Sequence, residues 1–193
     1  YFDFSSPYAY FSIEKLEFIA KANNCEINWH PFLLGVAIKK TGNLALSNQP
    51  MKGEYTYKDW NRLSRFLDIP WKLPRNFPTS SLIAARCFYW INEEDPIVAQ
   101  AFGKKVFSTH FVEGRDISDP AILFTLVTSL GLDAEKLKQE LCEEKIKNKL
   151  KTETEKALNL GVFGSPTFIV DGESFWGSDR LWMVKRWLQS GGW

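Results

Sequence analysis

The 193-residue chain has three cysteines, Cys25, Cys87 and Cys142, far apart and with no Cys-x-x-Cys pair among them. A disulfide framework is therefore not suggested. With two histidines, His30 and His110, neither at metal-ligand spacing, nor is a zinc site. Three separate buried thiols, as in a reducing and cytoplasmic setting, is the reading the cysteines suggest. No apolar run approaches the roughly 18–20 residues of a membrane span, which points to a soluble chain with no membrane partner. An excess of one charge is missing too: 24 Lys+Arg stand against 23 Asp+Glu with the signs interspersed, so nothing draws the protein to nucleic acid. There is no internal repeat and no low-complexity stretch. The chain opens on Tyr1 rather than Met, so no targeting segment can be judged.

What the sequence has in plenty is aromatic side chains: 8 Trp, 6 Tyr and 15 Phe, or 15% of residues. A Phe- and Trp-rich core accounts for most of them, and the surplus suits the walls of a pocket for a flat apolar ligand. At 24% charged and 45% hydrophobic, the chain is globular rather than disordered.

The pattern changes twice along the chain. The first thirty residues read strand, helix, strand: Phe2 and Phe4 open an aromatic strand, Ser6 and Pro7 occupy N-cap and first-turn positions, and residues 25–32 form a second strand with Ile27 and Trp29 on one face. From Gly35 to about Gly161 the signal is helical. Helices are predicted over 55–67, over 80–91, after Asp95-Pro96, after Asp119-Pro120 up to Gly131, and from Asp133 to about Leu160 with one possible break. The last thirty residues return to strand, with Thr167 to Val170, a turn at Asp171-Gly172, Ser174 to Trp176, and a helix opened by Ser178-Asp179. This is an α/β chain whose thioredoxin-like sheet is split by a large all-helical insertion. The expected division is a discontinuous domain of residues 1–35 and 161–193 around an insertion of 36–160.

Three short segments meet in such a fold: Ser5-Ser6-Pro7-Tyr8-Ala9, Gly161-Val162-Phe163-Gly164-Ser165-Pro166-Thr167, and Phe175-Trp176-Gly177-Ser178-Asp179-Arg180. On these motifs the chain resembles the 2-hydroxychromene-2-carboxylate isomerase family and its relatives the kappa-class glutathione transferases, DsbA-like members of the thioredoxin fold. The resemblance covers nearly the whole chain. Redox enzymes of that branch carry Cys-x-x-Cys where this chain has Ser6 and Ala9, so thiol-disulfide exchange is not expected.

The resemblance implies a glutathione-dependent cis-trans isomerase working by thiolate addition, rotation and elimination, with a small aromatic substrate and a homodimeric assembly. It makes Ser6 catalytic, with Ser5 as the rival hydroxyl. Ser6, Pro7, Tyr8, Ser165, Pro166, Ser178 and Asp179 would bind glutathione, with a cis bond at Ser165-Pro166. Lys39, or the adjacent Lys40, and Asn43 would bind the substrate from a loop following the second strand. No metal is implied, and both histidines read as structural. A hydroxyl and a helix N-terminus together would lower a thiol pKa of about 8.5 by roughly one and a half to three units. A kappa-type transferase that releases a conjugate, and a non-catalytic domain binding extended peptides at the Pro166 loop, are the alternatives.

Overall fold

A computed structural model describes residues 1–193. Nine helices dominate it: α1 (Pro7–Ala22), α2 (Leu34–Lys40), α3 (Lys52–Leu67), α4 (Leu82–Glu94), α5 (Pro96–Phe111), α6 (Pro120–Ser129), α7 (Ala134–Glu140), α8 (Glu144–Asn159) and α9 (Leu181–Ser190). One hairpin, β1 (Thr167–Val170) and β2 (Glu173–Trp176), lies before α9, and short 3-10 turns, Leu46–Asn48 and Ser178–Arg180, precede α3 and α9. None of the helices is long and apolar enough to cross a membrane.

Side-chain caps of their own set the starts of four of the nine helices, α1, α5, α6 and α7. Asp95 accepts from the N–H groups of Ile97 and Val98, Asp119 from Ala121, and Asp133 from Glu135 and Lys136. Each such cap contributes about 1 kcal/mol by satisfying amides that the helix itself leaves unpaired. Pro7, Pro96 and Pro120 sit at the first helical turn, where a missing N–H costs nothing. The break between α7 and α8 follows from packing. Leu137 and Leu141 are buried on one side of it, Ile146 and Leu150 on the other. The five residues from 141 to 146 would rotate a continuous helix about 140° off the core, and the interruption restores the phase.

The hairpin has the expected register, Thr167 opposite Trp176 and Val170 opposite Glu173. Its two-residue turn places Asp171 at φ 52° and Gly172 at φ 85°, the left-handed pair that matches strand twist. The N-terminal segment pairs with it, Tyr1 and Thr167 exchanging backbone bonds of 2.8 and 2.9 Å. On its other side lies the 25–32 segment: Phe2 N–H donates to His30, and Phe32 N–H to Phe2. The predicted second strand is thus a single parallel bridge, Phe2 to Pro31. Pairing cannot extend further because the chain turns at Asp3, whose carbonyl accepts from Ser6 N–H, to enter α1.

Against this short sheet pack α4 and α5. Phe2 and Phe4 meet edge to face at 5.0 Å, Phe2 and Trp29 at 5.2 Å, and the cluster continues through Phe88, Phe107 and Phe111 to Ile146 and Leu150 of α8. Gly103 lets α5 lie on Trp29, since a Cβ there would come within 3.0 Å of the indole. Most of the aromatic surplus is therefore core. The layout is the α/β thioredoxin-like one that the sequence suggests, with helices between its two halves.

Two expectations need correction. Residues 34–40 are helix rather than loop. Of the cysteines only Cys87 is buried, and burial pushes its thiol up to about 12. Cys25 is exposed just after the left-handed Asn24 that ends the α1 turn, and Cys142 is exposed in the break between α7 and α8.

Gly53, in the first turn of α3, is where the 3-10 turn Leu46–Asn48 crosses the helix; a Cβ there would sit 2.5 Å from the Ser47 carbonyl oxygen. In an open helix Gly→Ala is stabilising by about 1 kcal/mol. Here Gly53→Ala is expected to have the opposite sign, a loss of about 1–3 kcal/mol from overpacking against backbone, read as a lowered Tm. An unchanged or raised Tm would contradict this packing.

Candidate active site

The N-terminus of α1, the inner side of α2, the start and middle of α3, the turn at residues 163–165 and the turn after β2 surround one cleft of about 1390 Å³. A pocket for a single small ligand is ordinarily ~300–1,000 Å³, so this cleft has room for two molecules. Its walls divide by chemistry. Its apolar lining includes Leu34, Val36 and Ile38 of α2 and a cluster of Phe11, Trp60 and Phe77; its polar lining includes Ser5, Ser6, Tyr8, Ser165, Ser178 and Asp179.

Ser6 caps α1, its Oγ accepting from Ala9 N–H at 3.3 Å, and donates its own proton to the Ser165 carbonyl at 3.0 Å. It is buried, 5% exposed, so this pair of bonds fixes the hydroxyl in one orientation. Ser5 also lines the cleft, but its hydroxyl and its N–H both donate to Asp3 Oδ1, at 2.7 and 2.8 Å. A proton held by a carboxylate is harder to redirect than one held by a carbonyl, which favours Ser6 over Ser5 as the available donor.

The Ser165-Pro166 bond is cis. Ser165 presents its carbonyl to Ser6, and its Oγ accepts from Asp3 N–H at 2.9 Å. Pro166 itself is buried behind the wall, not part of the lining, but its carbonyl accepts from Gly177 N–H at 2.9 Å and so draws the segment bearing Ser178 and Asp179 up to the same turn. Gly177, at φ 105°, takes a backbone shape that other residues rarely adopt. Asp179 is paired with Arg180 at 2.5 Å and exposed, and the expected helix start at Ser178 is a 3-10 turn before α9. Trp176 closes over Gly164, its indole nitrogen where a Cβ would be, and meets Phe163 edge to face at 4.7 Å.

Asn43 lines the cleft; Lys39 does not. Once residues 34–40 wind as helix, Ile38 turns toward the cleft, while Lys39 and Lys40 stand exposed in the last turn. The cations that do line it are Lys15, Lys52 and Arg180. One arrangement escaped the sequence reading. Tyr8 donates its hydroxyl to Asp59 Oδ2 at 3.0 Å, and Arg62 holds the other oxygen of Asp59 at 2.6 Å. Burial, then the hydrogen bond to Asp59, raises the Tyr8 pKa, so the phenol stays a neutral donor. In sequence Asp59 and Arg62 look like any i,i+3 surface pair, and nothing local links them to Tyr8.

No cysteine lines the cleft, and no group of three or more His, Cys, Asp or Glu is gathered as a metal site. His110 is buried, its Nδ1 against the Arg115 carbonyl at 3.0 Å, and His30 stacks on Tyr1; neither reaches the cleft.

A family model described as a DSBA-like thioredoxin domain matches residues 1–189. Human glutathione S-transferase kappa 1 is 28% identical over 200 residues, spanning 97% of this chain and 88% of that protein. The 2-hydroxychromene-2-carboxylate isomerase of Sphingobium xenophagum is also 28% identical, over 190 residues that span 97% of this chain and 95% of that enzyme. A solved structure of 2-hydroxychromene-2-carboxylate isomerase, with selenomethionine, has a TM-score of 0.85 at 26% identity, covering 98% of this chain and 92% of its own. With its cleft, its hydroxyl-capped first helix and a family match running from Tyr1 almost to the end, this chain belongs to the DSBA-like thioredoxin domain family.

Proposed function

We propose that the protein is a glutathione-dependent isomerase that interconverts 2-hydroxychromene-2-carboxylate with trans-o-hydroxybenzylidenepyruvate, opening the ring and exchanging cis for trans geometry about the double bond, or acts in the same way on a related aromatic pyruvate. The observation that carries this reading is a hydroxyl, rather than a thiol, capping α1 beside a cleft with room for a tripeptide and an aromatic molecule. Since no cysteine lines the cleft, a nucleophilic sulfur must come from outside. The donor set fits that tripeptide, which carries two carboxylates and one ammonium: Lys15, Lys52 and Arg180 answer the first, Asp59 and Asp179 the second. When bound, glutathione supplies a thiolate whose addition to the conjugated alkene frees it to rotate and whose elimination restores the double bond.

The chain's own part is to hold protons and charge. Ser6 would move its proton from the Ser165 carbonyl to an anionic sulfur. The gain is the difference between a charged bond, ~1.5–3 kcal/mol, and a neutral one, ~0.5–1.5, or about 1–1.5 kcal/mol. That is close to one pKa unit, less than the sequence suggests, because Ser165 already occupies the hydroxyl. The α1 N-terminus adds ~0.3–1 kcal/mol in the same direction. Ser178 and Asp179 receive the γ-glutamyl end, and the Asn43 amide is the donor for charge that develops on the pyruvoyl oxygen. Residues 1–35 and 161–193 thus handle sulfur, and 36–160 supply most of the apolar wall.

Adding the chromene acid and glutathione together tests the reading. Turnover with glutathione undiminished supports it; accumulation of a conjugate indicates a kappa-type transferase instead, which the similarity to the human kappa enzyme keeps in view. Binding of unfolded peptides without either would leave a peptide-binding domain. Ser6→Ala should lower Tm by about 2–4 °C through the lost cap. It should also raise the pKa of bound glutathione by about one unit and cut turnover at pH 7 about five- to tenfold, a loss recovered as pH rises past the new pKa. Full activity in Ser6→Ala with an inactive Ser5→Ala would move the role to Ser5. Gly164→Ala should displace the half-exposed Trp176 with less than ~1 kcal/mol of stability lost but about tenfold weaker glutathione binding, measured by calorimetric titration beside a thermal melt.

A further inference from the structure

Asp3 is buried, 4% exposed, and lines the cleft, yet it forms no ion pair. Only neutral donors satisfy it. Oδ1 accepts from Ser5 N–H and Ser5 Oγ–H, Oδ2 accepts from Leu34 N–H at 2.9 Å, its own N–H donates to Ser165 Oγ, and its carbonyl accepts from Ser6 N–H at 3.0 Å. Leu34 is the first residue of α2, whose N-cap, Leu33, gives no side-chain cap. Asp3 therefore caps α2 from another part of the chain while fixing the Ser5-Ser6 turn and the Ser165 turn. Because a buried carboxylate is costly unless every oxygen has a donor, this geometry is held tightly.

We infer that Asp3 is a positioning residue that sets the spacing between the hydroxyl side of the cleft, Ser6 and Ser165, and the apolar wall of α2. The inference rests on the glutathione reading and deepens it: Asp3 decides how well the site takes an aromatic group carried next to the sulfur, not how well it takes the tripeptide. It touches neither reacting atom in this role. It acts through Ser5, Leu34 and Ser165.

Asparagine tests this because it keeps the shape and exchanges one acceptor for a donor. If its oxygen stays with Ser5, its Nδ2 faces the Leu34 N–H, donor against donor. Turned over, it faces the Ser5 N–H instead, and one of the two amides is orphaned either way. Keeping the two Ser5 bonds is the better choice, so α2 is released. Leu34→Pro removes the conflicting N–H at the helix position where proline is best tolerated.

Calorimetric binding of glutathione and of S-benzylglutathione would be compared in wild type, Asp3→Asn, Leu34→Pro and the double variant, with hydrogen exchange of residues 34–40 alongside. In Asp3→Asn, S-benzylglutathione should bind about tenfold more weakly while glutathione changes less than threefold, and exchange in α2 should quicken while α1 stays protected. The double variant should bind S-benzylglutathione better than the product of the two single effects. Equal weakening of both ligands, or unchanged α2 exchange, or strictly multiplicative effects would overturn the inference while leaving the glutathione reading intact. A wild type that binds neither ligand would take down both.

Discussion

The hydrogen bond from Ser6 Oγ to the Ser165 carbonyl joins positions 159 apart in sequence, and the site exists only because that span is closed. It does not act alone. Tyr1 exchanges backbone bonds with Thr167, and Asp3 N–H reaches Ser165 Oγ, so three contacts in a row tie the N-terminal segment to β1 and the turn before it. Closing so long a loop costs entropy that grows slowly with length, and a row of buried bonds over an aromatic core can offset it. Once the seam is closed, α1 points its N-terminus at the Ser165 turn and Gly177 follows through its bond to Pro166.

That seam also explains the choice of a hydroxyl. A cysteine pair at positions 6 and 9 would make the helix start a redox centre. Serine instead caps the helix; in the proposed function it lends a proton, leaving the same backbone dipoles available to a sulfur brought from outside. The proton is engaged with Ser165 beforehand, which lowers the net stabilisation of an anion but holds the hydroxyl in one place. Preorganisation of this kind trades strength for aim.

The helical block contributes most of the apolar lining: Val36, Ile38, Trp60 and Phe77 come from it, while Phe11 comes from α1. The main core, built on Phe2, Phe4, Trp29 and α4 and α5, takes nine of the fourteen buried aromatic residues. Aromatic abundance in the sequence therefore spoke chiefly about packing and only secondarily about ligands.

Local chemistry by itself determined a good deal. Ser6-Pro7, Asp95-Pro96 and Asp119-Pro120 mark helix starts through short-range bonds, Asp171-Gly172 specifies its hairpin turn, and Ser6 and Ala9 leave no cysteine pair at the start of α1; each is read from neighbours a few residues away. The three motif segments likewise name the residues that gather around the cleft. Tertiary structure decided what depends on distance through space. Residues 34–40, with a glycine and no cap of their own, become helix because Asp3 caps them from thirty-one positions away, and that winding leaves Lys39 outside the cleft. Lys52 and Asp59 enter it, and Tyr8 gains its hydrogen-bond partner, through the packing of α3 on α1. Asp3 shows the same limit: a lone acidic residue between aromatic neighbours carries no sign of the three donors that the fold brings to its carboxylate, or of the bond from Ser6 N–H to its carbonyl.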